Sequence, residues 1–570
     1  MLKFFKINIK KHDNKIKNNW FLKIFLALLC AFPVFMAAFY YFQIGTAFYI
    51  VVGTALISFG FLFVPFVFFK QKTAFFISTI WLLLSPLEII HLVLYQESVG
   101  PGFLLLLFQT DFREMWELIV FHKFLTIAYI VTLILYLFLT IKFIKNEYLL
   151  SKRFRFSTLI ILLFFMAGLY TFSFRSIDSS NKTARDVFID THDAFIMKFR
   201  KIYPTSIFVA VNKAHRFYKE IFGINPAIQN FSFQAAKKDS VPEKEIYIFV
   251  IGETARYASF SINGYQRETT PLLAKTDGLL SYSDVYTLSN LTSISLPLLI
   301  TRAIPQNFNI STKEKTVVDA FHEAGFSTYW IANQSVGNTY LRRVANRTNQ
   351  SYFSIKDMDS VENFDEDLWQ YLEDVFNKDE QKQFIVMHTL GSHFRYNLRY
   401  PEEFRKFKPD LVGMTDYTLL GKSMKEQLIN SYDNSILYTD YFLANTINKL
   451  NALDAVSYLF YISDHGENLY DDENDYVLHA SDHPSEIEAH VPMLVWTSDK
   501  YRNTYPAKYN AAIQNIDKKL SADVIFYSLL DMADITIPDE NFQKSIANPT
   551  LEDDSVRYVL NPKKEIVVFK

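Results

Sequence analysis

Five long apolar runs in the first third of the chain constrain its fold more than any other feature. They extend from Trp20 to Tyr41, Thr46 to Phe69, Thr73 to Tyr95, Phe121 to Phe143 and Phe156 to Phe174. A helix of about 20 residues crosses the roughly 30 Å hydrocarbon core of a bilayer, and each run is close to that length or longer. The sequence therefore predicts an all-α transmembrane domain of five helices over residues 20–174. A buried helical core is the alternative, but so many uncharged runs argue against it. The long first run, with further spans directly after it, also argues against a cleaved signal peptide.

Basic residues in the short loops predict how these spans are oriented. Six lysines lie in the amino-terminal segment 1–19, Lys70 and Lys72 follow the second run, and a basic stretch from Lys142 to Arg155 follows the fourth. Because positive charge stays on the cytoplasmic side, five spans place everything after Phe174 outside. The net charge of −2 excludes a strongly basic nucleic-acid-binding protein. The one cysteine, Cys30, lies in the first run, so the exported part is predicted to have no disulfide.

Two polar features interrupt the apolar part of the chain. Glu88 and His91 lie three residues apart near the outer end of the third run, where they are either functional groups or simply hydrated. The segment QTDFREMWEL, Gln109 to Leu118, predicts an amphipathic helix on the outer membrane surface near residues 109–120. Its carboxylates, among them Glu114, face either solvent or whatever stands above the membrane.

Beyond the spans, the pattern changes to that of a layered α/β domain. Residues 175–244 are predicted to be a linker with one surface helix, Thr205 to Phe222, where apolar residues recur at helical spacing. From residue 245 to 570 apolar strands alternate with helices, which is typical of an α/β fold. The strand candidates are Ile246 to Ile251, Ser327 to Ile331, Phe384 to His388 and Tyr458 to Ile462.

Polar side chains follow each of these four predicted strands. The first strand is followed by Glu253, the second by Asn333 and Gln334, the third by His393, and the fourth by Asp464 and His465. Ligands of open α/β sheets bind where strands end, so these side chains are expected at one edge of one sheet. Carboxylates mixed with imidazole suit zinc first and manganese second, with magnesium a weaker alternative.

A candidate nucleophile lies in LSNLTSISLPLLIT, Leu288 to Thr301. Its hydroxyls precede an apolar run that is predicted to be helical, so they stand at a helix amino terminus, where phosphate binds well. Thr292 is the best placed, and a base or a metal would have to lower its pKa before it could attack. The alternative is that Thr292 only caps the helix.

Four strings taken together resemble the phosphoethanolamine transferases. They are GETARYASFSINGYQRETTP from Gly252, the Thr292-x-x-Ser295-x-Pro297 segment, HTLGSHFRYNLRYP from His388 to Pro401, and SDHGE from Ser463 followed by His479. The resemblance covers essentially the whole chain, because the five spans and QTDFREMWEL also fit. It implies a multi-pass protein of the bacterial inner membrane. It also implies that residues 245–570 form a periplasmic catalytic domain with the α/β fold of alkaline phosphatase and sulfatase type.

The resemblance also implies a reaction. Glu253, Thr292, Asp464 and His465 match the zinc ligands of the family, and Thr292 matches the nucleophile. Phosphoethanolamine would pass from phosphatidylethanolamine to the threonine and then to lipid A or another lipopolysaccharide acceptor, at a phosphate or a sugar hydroxyl. His479 is a candidate for protonating the leaving alkoxide, since imidazole titrates near neutral pH.

Further residues match family positions that contact the substrate. His393 and His479 match positions that contact the substrate phosphate or a second metal. Asn333 or Gln334 matches a polar substrate contact, and Glu114 matches the acidic residue of the membrane-surface helix near the site.

The sequence departs from the family members that modify lipid A. These often carry disulfides around the nucleophile helix, where this chain has Leu288 and Leu298, and a lysine common in them is absent near Asn338. The SHFRYNLRYP and TRAIP strings are more similar to the subgroup that modifies core sugars or several acceptors. The acceptor therefore stays open.

Three other functions compete with this interpretation. A phosphatase or sulfatase of the same superfamily has no need of five spans, which suit a lipid donor. A phosphoglycerol transferase of the lipoteichoic acid synthase kind shares the Glu-Thr-Asp-His set but not the NGYQRETTP and SHFRYNLRYP strings. A catalytically dead membrane scaffold would be expected to lack at least one metal ligand, and none is lacking.

Overall fold

The computed structural model describes residues 20–95, 97–109, 123–145, 149–177, 183–222, 227–334, 339–354, 364–413, 422–471, 476–538 and 541–570. The chain divides into two compact units. The first comprises the residues up to Gly100 together with Lys123–Asn212, and the second comprises Pro101–His122 together with Lys213–Lys570. The domain boundaries predicted at residues 174 and 244 stay predictions.

Helices are the regular secondary structure of the described residues up to Phe222. They are α1 Trp20–Gln43, α2 Phe48–Phe68, α3 Gln71–Tyr95, α4 Pro101–Gln109, α5 Lys123–Phe143, α6 Lys152–Arg175, α7 Ala184–Met197 and α8 Thr205–Phe222. Five of them, α1, α2, α3, α5 and α6, are long and apolar enough to cross a membrane. The prediction of five membrane helices is therefore confirmed. The outer surface helix predicted near residues 109–120, with Glu114, lies outside the described residues.

The last span begins earlier than its apolar run. Helix α6 starts at Lys152, whereas the run starts at Phe156. Ser151 caps the helix by accepting a hydrogen bond from the Phe154 amide at 3.2 Å, so the basic residues form its first turn. Hydropathy cannot detect that turn, because it records the apolar part of a helix and not its capped end.

Glu88 and His91 are buried inside the membrane unit. The exposed fraction of Glu88 is 0% and that of His91 is 4%. The Glu88 carboxylate accepts hydrogen bonds from the Ser206 hydroxyl at 3.0 Å and from the Val99 amide at 3.4 Å. Of the two alternatives given by the sequence, hydration at the interface is therefore wrong. The carboxylate instead joins α3 to α8 within this unit.

A seven-stranded sheet forms the centre of the second unit. Its strands are β1 Glu245–Gly252, β2 Leu279–Tyr282, β3 Ser327–Ala332, β4 Gln350–Phe353, β5 Lys382–His388, β6 Val456–Ser463 and β7 Met493–Thr497, in the spatial order β2-β7-β6-β1-β5-β3-β4. The strands from β6 to β4 run parallel, and β7 is antiparallel to both of its neighbours. All residues of β1 and β6 are buried, as expected of parallel strands covered on both faces.

Helices and short strand pairs complete the second unit. The helices are α9 Ala227–Asn230, α10 Thr292–Leu299, α11 Val317–Glu323, α12 Thr339–Ala345, α13 Trp369–Phe376, α14 Lys425–Asn451, α15 Glu486–Ala489, α16 Asp499–Thr504, α17 Pro506–Gln514 and α18 Val524–Met532. The short pairs are Ala236–Lys237 with Ile535–Thr536, Asp284–Tyr286 with Lys519–Ser521, Asn468–Leu469 with Val477–Leu478, and Arg557–Leu560 with Ile566–Phe569. The predicted α/β class is confirmed, and each of the four predicted strands is present.

Candidate active site

Parallel strands bring the predicted site residues to one edge of the sheet. Ile251 of β1 is paired with both His388 of β5 and Ile462 of β6, so these three strands end side by side. Glu253 directly follows β1, and Asp464 with His465 directly follows β6. The expectation that separate strand ends converge is thus met by the topology, because parallel strands carry their carboxyl ends to the same edge.

Four side chains meet at this edge with their polar atoms in contact. The Nε2 atom of His465 lies 3.6 Å from Oε1 of Glu253 and 3.3 Å from Oδ2 of Asp464. The Oγ1 atom of Thr292 lies 3.0 Å from the same Nε2 and donates a hydrogen bond to Oε1 of Glu253 at 3.3 Å. Glu253, Asp464 and His465 are fully or almost fully buried.

Thr292 is the first residue of α10, and the N-cap position belongs to Leu291. Its hydroxyl therefore points to Glu253 and His465 instead of capping the helix backbone. This contradicts the alternative in which Thr292 is only a cap. The positive end of the helix dipole lies at the same place, which favours a negatively charged group there.

The donor set fits a divalent metal ion. The Nδ1 atom of His465 faces the carbonyl of Gly466 at 2.9 Å, and a carbonyl can only accept, so Nδ1 carries the proton and Nε2 presents its lone pair to the site. The Oδ2 atom of Asp464 is buried without a hydrogen-bond partner among the described residues. Donors bound to one ion at about 2.1 Å lie about 3.4 Å apart in a tetrahedral site, which matches the 3.3 and 3.6 Å separations.

Electrostatics supports the same conclusion. Burial, and after it the charge of Asp464, raises the pKa of Glu253 well above its usual range. Burial lowers the pKa of His465, which keeps the imidazole neutral at physiological pH. Keeping both carboxyl groups ionised beside a neutral imidazole is therefore costly, and a bound cation would remove that cost.

A second group of polar residues adjoins the first. The ring of His479 lies 4.0 Å from the ring of His465, and its Nδ1 atom lies 3.0 Å from Oε1 of Glu467. The other carboxylate oxygen of Glu467 accepts a hydrogen bond from the Tyr396 hydroxyl at 2.8 Å. Burial lowers the pKa of His479 to about 4 and raises that of Glu467 to about 8.

Glu467 orients His479, and sequence reasoning gave it no role. With Nδ1 hydrogen bonded to Glu467, Nε2 is the ring nitrogen of His479 on the side away from that carboxyl group. The SDHGE string does contain this carboxylate, two positions after His465. The turn that brings the Glu467 side chain to His479 was not predictable from residue spacing.

His393 lies in the loop after β5. Its Nδ1 atom faces the carbonyl of Phe394 at 2.7 Å, so Nδ1 is the protonated nitrogen. Burial, followed by the Arg399 guanidinium, lowers its pKa to about 3. His388, at the end of β5, is buried with no hydrogen-bond partner for either ring nitrogen among the described residues, and sequence reasoning used it only as the end of a strand.

Asn333 and Gln334 are placed against the loop that carries His393. The Asn333 amide donates to Asp365 at 2.9 Å, and the Gln334 amide donates to the Thr389 carbonyl at 2.9 Å. Asp365 also accepts hydrogen bonds from the backbone amides of Leu390 and Gly391, at 2.8 and 3.0 Å. The loop is therefore fixed by a buried carboxylate that the sequence did not single out. A substrate contact through Asn333 or Gln334 stays a prediction.

A largely parallel sheet with carboxylate, imidazole and hydroxyl groups at its carboxyl edge is the arrangement of a domain of the alkaline phosphatase and sulfatase class. The sulfatase family profile matches residues 245–535, more than half of the chain, and the chain belongs to the sulfatase family. The predicted fold class is thereby confirmed.

Curated relatives give a more particular similarity. The chain is 30% identical over 350 residues to phosphoethanolamine transferase EptC of Escherichia coli strain K12, an alignment that covers 60% of this chain and 58% of that protein. It is 32% identical over 307 residues to Kdo(2)-lipid A phosphoethanolamine 7''-transferase of the same strain, covering 51% of this chain and 50% of the relative. The chain thus matches only about half to three fifths of these relatives' length. The resemblance to phosphoethanolamine transferases is confirmed.

Solved structures agree with this assignment. The C-terminal periplasmic domain of EptC from Escherichia coli is 28% identical with a TM-score of 0.53, over 59% of this chain and 94% of that one. The integral membrane lipooligosaccharide phosphoethanolamine transferase A from Neisseria meningitidis is 22% identical with a TM-score of 0.69, over 91% and 96%. The second similarity establishes the fold across the membrane helices as well. The chain is a multi-pass membrane protein with this architecture, as the sequence predicts.

Proposed function

We propose that the chain transfers phosphoethanolamine from phosphatidylethanolamine to an acceptor on the outer side of the bacterial inner membrane, through a phosphothreonine at Thr292. The observation that carries this proposal is the position of the Thr292 hydroxyl. It stands at a helix amino terminus, 3.0 Å from His465 and 3.3 Å from Glu253. Relatives that share the domain are named phosphoethanolamine transferases, and five membrane helices suit a lipid donor.

Glu253, Asp464, His465 and Thr292 would hold one divalent metal ion, and zinc suits their donor atoms best. The periplasmic domain of EptC from Escherichia coli has been solved in complex with Zn, at 29% identity and a TM-score of 0.52 over 58% of this chain and 94% of that one. When bound, the ion lowers the pKa of the hydroxyl and neutralises charge on the phosphoryl oxygens. A second ion near His393 and His479 is compatible with two further imidazoles at this edge.

In the first step, the Oγ1 atom of Thr292 forms a bond to phosphorus. Its proton passes to the Glu253 carboxylate, which already accepts its hydrogen bond. The bond from phosphorus to the diacylglycerol oxygen breaks, and that oxygen takes a proton from Nε2 of His479. Glu467, whose raised pKa keeps it protonated, passes its own proton to Nδ1 as Nε2 gives its proton up, so the imidazole stays neutral throughout.

In the second step, the acceptor oxygen attacks phosphorus, and the threonine oxygen leaves with the proton that Glu253 took in the first step. The acceptor proton passes to Nε2 of His479, and Nδ1 returns its proton to Glu467, which restores both groups for the next cycle. The acceptor is a phosphate of lipid A or a sugar hydroxyl of lipopolysaccharide. The side chains proposed to contact the substrate are His393, Asn333, Gln334 and Glu114. The amides of Asn333 and Gln334 also donate the hydrogen bonds that hold the loop at residues 389–393.

The test compares variants of the full chain in vesicles that contain phosphatidylethanolamine and lipopolysaccharide. Thr292→Ala should abolish transfer, whereas Thr292→Ser should retain part of it. Ser293→Ala is the matched control, because Ser293 is the next residue of α10 and has no hydrogen bond to Glu253 or His465. Transfer by Thr292→Ala at the rate of Ser293→Ala would remove Thr292 as nucleophile. Vesicles with phosphatidylglycerol as the only donor separate this function from phosphoglycerol transfer, and release of free phosphoethanolamine separates it from hydrolysis.

A further inference from the structure

An apolar groove lies on the membrane unit, between α1, α2 and α3. Its volume is about 320 Å³, and apart from Lys23, Gln71 and Ser78 its lining is apolar or Cys30. On α1 the lining extends from Lys23 to Ala31. The eight residue steps between them correspond to about 12 Å along a helix, close to the roughly 15 Å depth of one leaflet of the hydrocarbon core. The groove therefore has the length of one acyl chain from one leaflet.

A lysine side chain, Lys23, lies at one end of the groove. The ammonium group of Lys23 is partly buried and donates a hydrogen bond to the Gln71 side chain at 2.8 Å. A lysine within a span is costly unless its charge reaches a headgroup or an anion. Among the described residues no carboxylate forms an ion pair with Lys23, so its charge is left for a ligand.

Further basic residues lie near Lys23 among the described residues. Lys70 lies between α2 and α3 at the same end. Lys72 lies in the first turn of α3 and donates to the Ile141 carbonyl of α5 at 2.9 Å. The described residues 20–24, 66–76 and 138–145, which form the ends of these four helices, contain no aspartate or glutamate. Basic clusters of this kind beside a span bind anionic headgroups. They also mark this end as cytoplasmic.

We propose that the groove binds an anionic phospholipid of the cytoplasmic leaflet, with one acyl chain along α1 and its phosphate at Lys23. The site is independent of the proposed transfer reaction, whose donor and acceptor meet residues of the other unit. An acyl chain fills the apolar lining, and the headgroup supplies the negative charge that the described protein does not.

Native mass spectrometry of the full chain in mild detergent tests this site. Phosphatidylglycerol, phosphatidylethanolamine and phosphatidylcholine with identical acyl chains are titrated separately. A lysine near an anionic headgroup adds about fivefold in affinity, so phosphatidylglycerol should bind at least about fivefold more tightly than the two zwitterionic lipids. Equal binding of all three lipids would show ordinary solvating lipid and overturn the proposal. Binding of phosphatidylethanolamine as tight as that of phosphatidylglycerol would overturn the selection for net negative charge.

Two pairs of variants locate the site. Lys23→Met should reduce phosphatidylglycerol binding to the level of phosphatidylcholine, and its control is Lys152→Met, at an exposed lysine at the start of α6 that does not line the groove. Ala27→Phe fills the groove without changing charge and should weaken binding of phosphatidylglycerol. Its control is Ala128→Phe on the exposed face of α5. If Lys23→Met does not fold, Ala27→Phe decides. Binding by either groove variant equal to that of its control contradicts the proposal.

Discussion

Gly391 offers the most direct way to disturb the candidate metal centre without touching a ligand. Its φ is +50°, and a Cβ added there would lie 2.7 Å from the carbonyl oxygen and 3.0 Å from the amide nitrogen of Glu253. The first distance is about 0.7 Å shorter than the 3.4 Å at which ordinary van der Waals contact begins. Both contacts are with backbone, so no side-chain rotation relieves them.

The Gly391→Ala substitution should therefore displace Glu253. The Gly391 loop has little freedom to yield, because Asp365 holds the Gly391 amide at 3.0 Å and the Ser392 amide donates to the Glu253 carbonyl at 3.0 Å. Catalytic geometry tolerates displacements of about 0.5 Å, and a misplacement near 1 Å costs about 100-fold in rate. We expect transfer to fall by about 100-fold and zinc affinity by about tenfold or more.

Gly325→Ala is the matched control. Gly325 has φ +85° and nothing within 4 Å of an added Cβ, so its substitution adds the left-handed strain of about 1–2 kcal/mol without a clash. Transfer activity and zinc affinity are measured on both variants at matched folded fraction. Activity of Gly391→Ala equal to that of Gly325→Ala would refute the reasoning, because the contact with Glu253 would then carry no consequence.

Three further predictions concern the same domain. Glu467→Gln replaces the carboxyl group that passes a proton to His479 with an amide that cannot, so transfer should fall by about 100-fold or more with little change in the KM for the lipid donor. A proportional rise in KM would instead indicate that His479 binds substrate. Asp440 is buried, and burial raises its pKa to about 6, above the unfolded value of about 4, so the folded state binds this proton more tightly. Its contribution to stability is present below about pH 4 and is lost as the pH rises through about 6. Asp440→Asn should therefore show a smaller fall in Tm between pH 4 and 8 than the parent protein. An identical dependence of Tm on pH in the two proteins would contradict this. Removal of metal with a chelator should lower both the transfer rate and Tm, because two buried carboxylates lose their cation. Recovery of the rate and of Tm with zinc, but not with magnesium, would support the assignment of zinc from the donor atoms. An unchanged Tm after metal removal would oppose a metal at this site.

The membrane helices and the central strands were predictable because burial on all sides leaves uninterrupted apolar runs. The eight buried residues of β1 and the eight of β6 are of this kind. The edge strands β2 and β4 have four residues each, most of them only partly buried, so they leave no such run. Their pairing depends on neighbours far away in sequence, which periodicity does not record.

The candidate site divides in the same way. Glu253 and Asp464 were predictable because parallel strands deliver the residues after them to one edge. Asp365 was not, because it acts through hydrogen bonds to the backbone of a loop 25 residues further along the chain. The place of a residue directly after a strand can be read from the sequence. A hydrogen bond between distant parts of the chain exists only once the tertiary structure has formed.

The string NGYQRETTP shows a further limit of sequence reasoning. Its residues were expected to distinguish phosphoethanolamine transferases from phosphoglycerol transferases. In the structure they hold the loop after β1 on α14. The Tyr265 hydroxyl donates to Asp433 at 2.9 Å, and Arg267 donates to Asp433 at 2.8 Å and to Asn430 at 2.7 Å. The described contacts therefore give this string a structural role beside the site.

The central claim is that Thr292 carries the phosphoethanolamine group between donor and acceptor. Its most direct test is intact-protein and peptide mass spectrometry of the purified full chain, incubated with phosphatidylethanolamine in the absence of lipopolysaccharide. The account predicts an adduct of one phosphoethanolamine group on Thr292, which disappears when lipopolysaccharide is added and never forms on Thr292→Ala. Efficient transfer without any adduct on Thr292, or an adduct mapped to Ser293 or Ser295, would contradict it.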